Sequence, residues 1–404
     1  MRENSIINSI QSLAVNGSKF GPERTRALLD RLSAPDKKLK IIHIAGSNGK
    51  GSTAAYIAHA IKSAGLRAGL FTSPQVYSYA EQFQVDCLPL SEEKLEKYLG
   101  EVTEAAEDMD DKPTAFERET AAALLAFERE GCGYAVIECG LGGLNDATNA
   151  VAQKEVAVIT SVSLEHAAVL GDTISQICAQ KSGIIRDCPA VVSALQSGEG
   201  RAYFSALGAR FAGDGLRVLS EDAEGQTFSY NGEIYRIKML GRAQCYNAAT
   251  AAEACKLLGL SYKDIADGLA MTRLKGRVEV IKKGDVTYVL DGAHNPAAFE
   301  PLIGSLRHIP APITLIYGCL SDKDVENSAK ILAPHFKNAV LVAPNSYRAM
   351  ETGKIYAAFA DKIGDVRTAG SVGEALETAR GASVVVCGSF TLLKEAKEWI
   401  KRGL

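Results

Sequence analysis

The chain has 404 residues, of which 47% are hydrophobic and 23% are charged. This composition is typical of a folded globular protein and argues against extended disorder. The formal net charge is −3 and no block of Lys and Arg stands out, so charge gives no support for binding nucleic acid or an anionic membrane surface.

Nine cysteines are scattered along the chain without a CxxC pair, which argues against a zinc site of the usual spacing. We interpret them as reduced thiols of a cytoplasmic protein. The first residues lack the apolar core of a signal peptide, and no apolar run approaches the ~20 residues of a membrane span. We therefore expect a cytoplasmic protein without a membrane partner.

The first half of the chain alternates apolar runs of strand length with runs of helical period. This alternation predicts an α/β fold with a mostly parallel sheet and helices on its faces. The predicted strands are Lys40–Ala45, Ala68–Thr72, Tyr134–Cys139 and Val156–Val162. The predicted helices are Ser52–Ala64, Ser91–Glu107 and Thr120–Glu130.

The pattern changes at about residues 214–240, where a β-rich segment is predicted. Thr227–Tyr230 and Glu233–Lys238 flank Asn231-Gly232, which indicates a hairpin with a two-residue turn. After a predicted helix at Tyr246–Leu258, strand–helix alternation resumes at Val286 and ends in a predicted helix at Phe390–Lys401. The length of the chain favours two domains, and the polar, basic stretch Thr272–Arg277 gives a division into residues 1–273 and 274–404. The later predicted strands are Val286–Leu290, Ile313–Tyr317, Ala339–Ala343 and Ser383–Cys387.

A glycine-rich segment leaves the strand Lys40–Ala45 and opens the next helix. It reads Gly46-Ser47-Asn48-Gly49-Lys50-Gly51-Ser52. In this context backbone N–H groups and the helix N-terminus can meet a phosphate, to which Lys50 adds a positive charge. The usual P-loop has four residues between its glycines and a hydroxyl residue directly after Lys. Here only Ser47 and Asn48 intervene, so an ordinary kinase or GTPase is disfavoured.

Polar side chains follow several predicted strands, where ligands of open α/β sheets bind. They are Ser73, Glu138 and His166. A hydroxyl, a carboxylate and an imidazole beside triphosphate oxygens suit Mg²⁺, which takes few protein ligands. Lys181 follows His166 in the chain and is either an ion-pair partner or a lysine that reacts with CO₂ to form a metal-binding carbamate.

Taken together, these motifs resemble the folylpolyglutamate synthase/dihydrofolate synthase family, relatives of the Mur ligases. The segments that match it in order are Gly46–Ser52, Thr72-Ser73-Pro74, Pro113–Glu117, Glu138–Gly143, Asp146–Asn149, Lys181–Ile184, Gly276–Glu279 and Asp291–Pro296. The resemblance implies an N-terminal P-loop, Mur-ligase-like ATPase domain and a smaller C-terminal Rossmann-like domain that ligates glutamate. It also implies that ATP activates a pteroate- or folate-like acid as an acyl phosphate, which the amine of L-glutamate then attacks.

The resemblance assigns roles residue by residue. It implies that ATP contacts Ser47, Asn48, Gly49, Lys50, Gly51, Ser52, Asn247, Arg277 and Asp291. It implies two Mg²⁺ ions held by Ser73, Glu138, His166 and, as a carbamate, Lys181, and it allows for K⁺. The acid pocket would include Thr114, Ala115, Phe116, Glu117, Asn145, Asp146 and Ala147, while Lys50, Lys181 and His294 would be catalytic and Ser389 would lie near glutamate. We expect a monomer.

Several positions depart from the family pattern. Gln75 stands where the family has His, Gln82 where it has Arg, and Leu144 where an Arg usually follows the glycines. The phosphate and metal residues persist, whereas these changes fall where the acid would lie. Two alternatives therefore stay open: a Mur-type ligase acting on a different acid or amino acid, and a nucleotide-binding regulator without activity.

Overall fold

The computed structural model describes residues 5–13 and 19–402 and divides the chain into two compact units. The first unit comprises the chain up to Leu219, with Thr227–Ile237 and Gln244–Thr272. The second comprises Ser220–Gln226, Lys238–Ala243 and the chain from Arg273 onward. The second unit therefore takes in two short segments that precede residue 273 in the chain. The N-terminal residues 1–4, considered above for a signal peptide, lie outside the described part.

The first unit is built on a mostly parallel sheet of eight strands, which confirms the predicted α/β fold. The strands are β1 (Lys40–Ala45), β2 (Ala68–Phe71), β3 (Phe83–Val85), β4 (Leu88–Pro89), β5 (Tyr134–Glu138), β6 (Val156–Ile159), β7 (Ala190–Ser193) and β8 (Arg210–Ala212). Their order is β4-β3-β2-β5-β1-β6-β7-β8. Near one edge β3 pairs antiparallel with both β2 and β4; the other neighbours are parallel.

Helices cover both faces of this sheet, so its central strands are buried on both sides and are continuously apolar in sequence. The helices are α1 (Ile6–Leu13), α2 (Glu23–Arg31), α3 (Lys50–Ser63), α4 (Glu92–Glu107), α5 (Ala115–Arg129), α6 (Ala167–Leu170), α7 (Ile174–Ser182), α8 (Gly198–Ala206), α9 (Arg242–Leu257) and α10 (Tyr262–Met271). One core packs α4 and α5 against the sheet, and another packs α7 and α8 against the strands from β6 onward.

Helix α5 begins earlier than the apolar period predicts. The Thr114 hydroxyl accepts from the Glu117 N–H, and the Glu117 carboxylate accepts from the Thr114 N–H at 2.7 Å. This capping box satisfies N–H groups at the start of the helix. It begins α5 at Ala115 rather than at the predicted Thr120.

The predicted hairpin is confirmed in a three-stranded sheet. Its strands are β9 (Arg217–Asp222), β10 (Gly225–Tyr230) and β11 (Glu233–Ile237), in the order β11-β10-β9. Between β10 and β11, Asn231 and Gly232 have φ angles of 51° and 79°. Positive φ at both turn residues is what a type I′ hairpin requires.

The second unit has its own sheet of six strands. They are β12 (Glu279–Lys283), β13 (Val286–Leu290), β14 (Ile313–Tyr317), β15 (Asn338–Leu341), β16 (Asp365–Thr368) and β17 (Ser383–Cys387). The order is β12-β13-β17-β14-β15-β16, with β12 antiparallel and the rest parallel. The helices are α11 (Pro296–Ser305), α12 (Val325–Leu332), α13 (Thr352–Phe359), α14 (Val372–Thr378) and α15 (Phe390–Arg402).

Among the helices of residues 5–13 and 19–402, none combines the length and apolarity that crossing a membrane requires.

The parallel register of β1 aligns the carboxyl ends of three strands in the first unit. Ile44 is the partner of Glu138 in β5, and Ala45 is the partner of Ile159 in β6. The glycine-rich segment that follows Ala45 therefore lies beside the ends of β5 and β6. This is the edge where open α/β sheets bind ligands.

Candidate active site

The glycine-rich segment Gly46–Ser52 joins β1 to α3 and is held against the chain that follows β6. The Ser47 N–H donates to the Ser161 carbonyl at 2.8 Å. The Ser47 hydroxyl donates to the Ser163 carbonyl at 3.2 Å and accepts from the Ser163 N–H at 3.0 Å. The loop is thus fixed from outside before any ligand binds.

Lys50 begins α3 and folds back over its own loop. Its Nζ donates to the Gly46 carbonyl at 3.0 Å and to the Ser47 carbonyl at 3.3 Å. Gly49 precedes it with a φ of +91°, and a Cβ there would lie 2.4 Å from Asn247 Oδ1. Glycine is therefore required at 49, and the predicted ATP contacts Gly49 and Asn247 are neighbours.

Glu138 ends β5 with a buried carboxylate beside this loop. Its Oε2 accepts from the Ser73 N–H at 3.2 Å and lies 3.2 Å from the position that a Cβ on Gly51 would occupy. Two of the predicted metal ligands, Ser73 and Glu138, are thus brought together next to the predicted phosphate loop.

Lys50, His166 and Lys181 line one pocket with Glu165. The Lys181 Nζ donates to Glu165 Oε1 at 2.8 Å and to the Gly46 carbonyl at 2.9 Å, and its side chain is only 1% exposed. Burial lowers the pKa of Lys181, and the Glu165 carboxylate opposes this effect. The remaining lining residues are Gly46, Cys139, Gly140, Leu141 and Gly142.

Glu165 is a site residue that the sequence analysis passed over. Burial acts to raise the pKa of its carboxyl, but the charges of Lys181 and Lys50 outweigh that effect and hold the pKa below its ordinary value. It therefore compensates the buried Lys181 ammonium as a carboxylate. Its place directly before His166 was the only sequence signal.

The predicted ligands suit a cation that takes few groups from the protein. His166 directly precedes α6 and has a left-handed φ of 47°. Across the described residues, no three side chains of the His, Cys, Asp and Glu types form a ready-made metal cluster. Glu138 beside the phosphate loop instead fits Mg²⁺, which completes its shell with water and phosphate oxygens.

The residues predicted to line the acid pocket divide into two kinds. Glu117 forms the cap of α5 with Thr114 and is paired with Arg24 at 2.9 Å, so its carboxylate already has structural partners. Phe116, in contrast, reaches the glycine run, where its Cζ lies 2.7 Å from the Cβ position of Gly140. Ala115 begins the same helix.

Asp146 lies on the other side of that glycine run. Its Oδ2 accepts from the Leu141 N–H at 2.7 Å and lies 3.4 Å from the Cβ position of Gly140. Ala147 starts the short 3₁₀ turn after it, while Asn145 is exposed and its carbonyl accepts from the Gly21 N–H at 3.0 Å.

Arg277, Asp291 and His294 lie in the second unit. The Arg277 guanidinium lies 5.1 Å from the ring centroid of Phe390, and the His294 ring lies 6.1 Å from it. The His294 Nδ1 is 2.8 Å from the Gly292 carbonyl. Phe390, which the sequence analysis named only as a helix start, is thus common to two predicted site residues.

Asp291 is buried and holds the loop after β13. It accepts from the N–H groups of Val278 and Ala293, each at 2.7 Å. Burial raises the pKa of its carboxyl, and the nearby Arg277 charge opposes this. Ser389, predicted near glutamate, is buried and 2.8 Å from the Thr391 hydroxyl.

Two family models match the chain. The Mur ligase middle domain matches residues 44–255, and the Mur ligase glutamate ligase domain matches residues 276–390. The dihydrofolate synthase/folylpolyglutamate synthase of Bacillus subtilis is 32% identical over 342 residues, which cover 78% of this chain and 79% of that protein.

Solved structures give the same result. The Mycobacterium tuberculosis folylpolyglutamate synthase complexed with ADP and AMPPCP superposes with a TM-score of 0.88 at 27% identity, over 98% of this chain and 99% of that chain. A bifunctional folylpolyglutamate synthase/dihydrofolate synthase with Mn, AMPPNP and L-glutamate bound gives a TM-score of 0.85 at 26% identity, over 99% of this chain and 98% of that chain. From the matched domains and this likeness along the chain, we conclude that it belongs to the folylpolyglutamate synthase/dihydrofolate synthase family of Mur ligases.

Proposed function

We propose that the chain is an ATP-dependent ligase that joins the carboxyl group of a folate- or dihydropteroate-type acid to the amine of L-glutamate. The observation that carries this proposal is the pocket in which Lys50, His166 and Lys181 meet at the phosphate loop. Family membership supports it, because relatives bind ADP, AMPPNP and L-glutamate.

The chemistry requires activation of a poor electrophile. A carboxylate resists attack by an amine, and transfer of the ATP γ-phosphoryl group to one carboxylate oxygen supplies a leaving group. The protein's contribution to such a transfer is positioning and charge neutralisation. Lys50 and the loop N–H groups would hold the β- and γ-phosphates, and Lys50 would exchange its loop carbonyls for phosphate oxygens.

Ser73 and Glu138 are the groups that would hold a first Mg²⁺, and His166 with Lys181 a second. When bound, the metal neutralises charge on the triphosphate and on the incoming carboxylate. The Ser73 N–H bond to Glu138 keeps one carboxylate oxygen beside the loop. That orientation supports a role for Glu138 at the phosphates.

For Lys181 we propose the carbamate. Burial lowers the pKa of Lys181, so the ammonium paired with Glu165 more easily releases the proton that must leave before the amine reacts with CO₂. The product carries a negative charge next to Glu165, so a cation between the two groups would be needed. Full activity in a bicarbonate-free preparation would refute the carbamate and leave Lys181 as the ion-pair partner of Glu165. A role for K⁺ rests on family resemblance alone.

In the second unit, Arg277 and Asp291 are proposed to contact ATP, and His294 and Ser389 to lie near glutamate. Asn247 of the first unit is also proposed to contact ATP. The reaction is proposed to occur in the cytoplasm, and the protein to act as a monomer. Light scattering in solution tests the monomer directly.

A ligase for a different acid is the second candidate. The departures at Gln75, Gln82 and Leu144 favour it, because they remove positive charge that the family pattern carries near the acid. In this chain Gln82 is 3% exposed, so an uncharged side chain stands at a buried position where the family pattern has an arginine. A panel of pteroates, folates and unrelated acids separates the two candidates by product mass.

The proposal is tested by release of ADP that depends on both acid and glutamate. We expect Lys50→Ala and Glu138→Ala to abolish this release. Lys62→Ala is the matched control, because Lys62 also belongs to α3 but its Nζ donates to the Asp86 carbonyl at 2.9 Å on the surface. The control should keep wild-type turnover. Full turnover in both site variants would refute the assignment of the loop.

A further inference from the structure

A buried chain of hydrogen bonds leads from β1 to the acid pocket. His43 is 0% exposed, and its Nε2 lies 2.8 Å from the Thr148 hydroxyl. The same hydroxyl donates to Asp146 Oδ1, which also accepts from the Thr148 N–H at 3.0 Å. Nothing in the proposed function uses His43 or Thr148.

The direction of these hydrogen bonds follows from Asp146 being a carboxylate, which can only accept. Burial raises the pKa of this carboxyl, and the hydrogen bonds from Leu141 and Thr148 oppose that effect. A threonine hydroxyl has a single proton. The Thr148 hydroxyl has two acceptors within reach, Asp146 Oδ1 and, at 3.5 Å, Cys139 Sγ, and the nearer carboxylate takes the proton. The hydroxyl must therefore accept from His43, which requires the proton on Nε2. The Nδ1 atom then carries a lone pair, in agreement with its lack of any hydrogen-bond partner.

The surroundings keep this imidazole neutral. Burial is the main cause that holds the pKa of His43 well below its ordinary value, and the positive charges of Lys154 and Arg186 add to it. The third neighbour is the Cys139 thiol, whose Sγ lies 3.1 Å from Nε2. The Asp146 carboxylate, the charge that could favour an imidazolium, is separated from the ring by the Thr148 hydroxyl.

The hydrogen-bonded series from His43 through Thr148 ends at Asp146, a residue assigned to the acid pocket. Asp146 and the Phe116 ring flank Gly140, which lines the pocket at the phosphate loop. The carboxylate has donors on both oxygens: Thr148 on Oδ1 and the Leu141 N–H on Oδ2. Thr148 gives Oδ1 two donors, its hydroxyl and its N–H, which take both lone-pair directions of that oxygen, so Oδ2 is the oxygen that would face a ligand.

We propose that His43 and Thr148 are positioning residues that fix the Asp146 carboxylate in one orientation for binding the acid substrate. This inference rests on the proposed function, since it assigns Asp146 to the acid. It predicts that these hydrogen bonds affect binding of the acid and do not affect binding of ATP or glutamate.

The test compares steady-state constants for each of the three substrates. Thr148→Val keeps the shape and removes the hydroxyl, and we expect KM for the acid to rise on the order of 10-fold, the usual effect of losing a hydrogen bond to a charged group. KM for ATP and for glutamate should stay unchanged. Thr148→Ser restores a hydroxyl and should restore KM.

The histidine gives a second pair of variants. His43→Gln keeps an N–H donor near the position of Nε2, whereas His43→Leu removes it, so Gln should retain a lower KM for the acid than Leu. Thr272→Val is the matched control, because it deletes a buried hydroxyl that donates only to the Gly268 carbonyl at 2.9 Å. It should leave all three constants as in the wild type.

Each outcome decides a different claim. An active wild type whose KM for the acid is unchanged by Thr148→Val overturns the positioning role alone. A wild type that releases no ADP with any acid overturns the proposed function and the inference with it. Should Thr148→Val fail to fold, ¹⁵N NMR of the imidazoles in the wild type decides, with His43 assigned by its loss in His43→Gln. A proton on Nε2 between pH 6 and 8 supports the chain, and a proton on Nδ1 overturns it.

Discussion

Glu119 makes protein stability depend on pH in a way that one substitution can isolate. It lies on α5, and its Oε1 accepts from the Tyr79 hydroxyl at 2.7 Å. Burial raises the pKa of its carboxyl from 4.5 to about 7, and the Tyr79 hydrogen bond only partly opposes this. Glu119 is therefore protonated in the folded protein at pH values where the unfolded chain has released the proton.

The sign follows from proton binding. The folded state holds the proton more tightly, so this group contributes stability at pH values below 4.5 and the contribution disappears as the pH rises to about 7. At about 1.4 kcal/mol for each pH unit, the full contribution is about 3 kcal/mol. Roughly 2.5 kcal/mol of it is lost between pH 5 and pH 8.

Glu119→Gln removes the titration and keeps an oxygen that can accept from Tyr79. We expect its free energy of unfolding to lose about 2.5 kcal/mol less than that of the wild type between pH 5 and pH 8. The measurement is urea unfolding followed by far-UV circular dichroism, because the single tryptophan, Trp399, lies in the second unit. Tyr79→Phe should move the loss of stability to higher pH. An identical pH dependence in wild type and Glu119→Gln would refute the reasoning.

Two further predictions concern the packing of the first unit. A Cβ on Gly268 would lie 2.4 Å from the backbone of Ala60, so Gly268→Ala should destabilise the protein by about 1–3 kcal/mol. Gly100 lies in open space within α4, so Gly100→Ala should stabilise the protein by about 0.5–1 kcal/mol. Urea unfolding should give changes of opposite sign for the two variants, and changes of the same sign would contradict the helix contact at Gly268. Asp36 is buried and accepts from Arg26 at 2.7 and 3.1 Å. Asp36→Asn should therefore lower the free energy of unfolding by about 2–4 kcal/mol in the same assay. A decrease below about 0.5 kcal/mol would show that the pair behaves as a surface ion pair.

The features that could be predicted from the sequence are those determined by residues close together in the chain. The loop Gly46–Ser52 was found between a strand and a helix because each of its signals is local. The hairpin at Asn231-Gly232 was found for the same reason, since two residues determine the turn. Short apolar runs, which need no partner to be recognised, also predicted four strands of each large sheet: β1, β2, β5 and β6 in the first unit, and β13, β14, β15 and β17 in the second.

Contacts between distant segments could not be predicted. Lys181 finds Glu165 and Gly46 only because α7 packs beside β1, and single residues carry no signal for that. The antiparallel strands β3 and β4 are too short to show alternation. Helix α5 starts early because Thr114 and Glu117 form a capping box. The same two residues belong to the segment that the family resemblance assigns to the acid pocket, so they were interpreted as substrate-binding residues.

The register of the central strands decides whether the candidate site can exist. Ile44 pairs with Glu138, and side chains alternate between the faces of a sheet, so a one-residue slip of β5 against β1 would turn the Glu138 carboxylate to the opposite face. That slip is opposed by the buried apolar side chains of the same strands, Ile42 and Val136 among them, which would lose their packing together. The position of the proposed metal ligand is therefore fixed by the hydrophobic core beneath it. For the same reason His43, one residue before Ile44 on β1, meets Thr148 at a fixed depth below the phosphate loop.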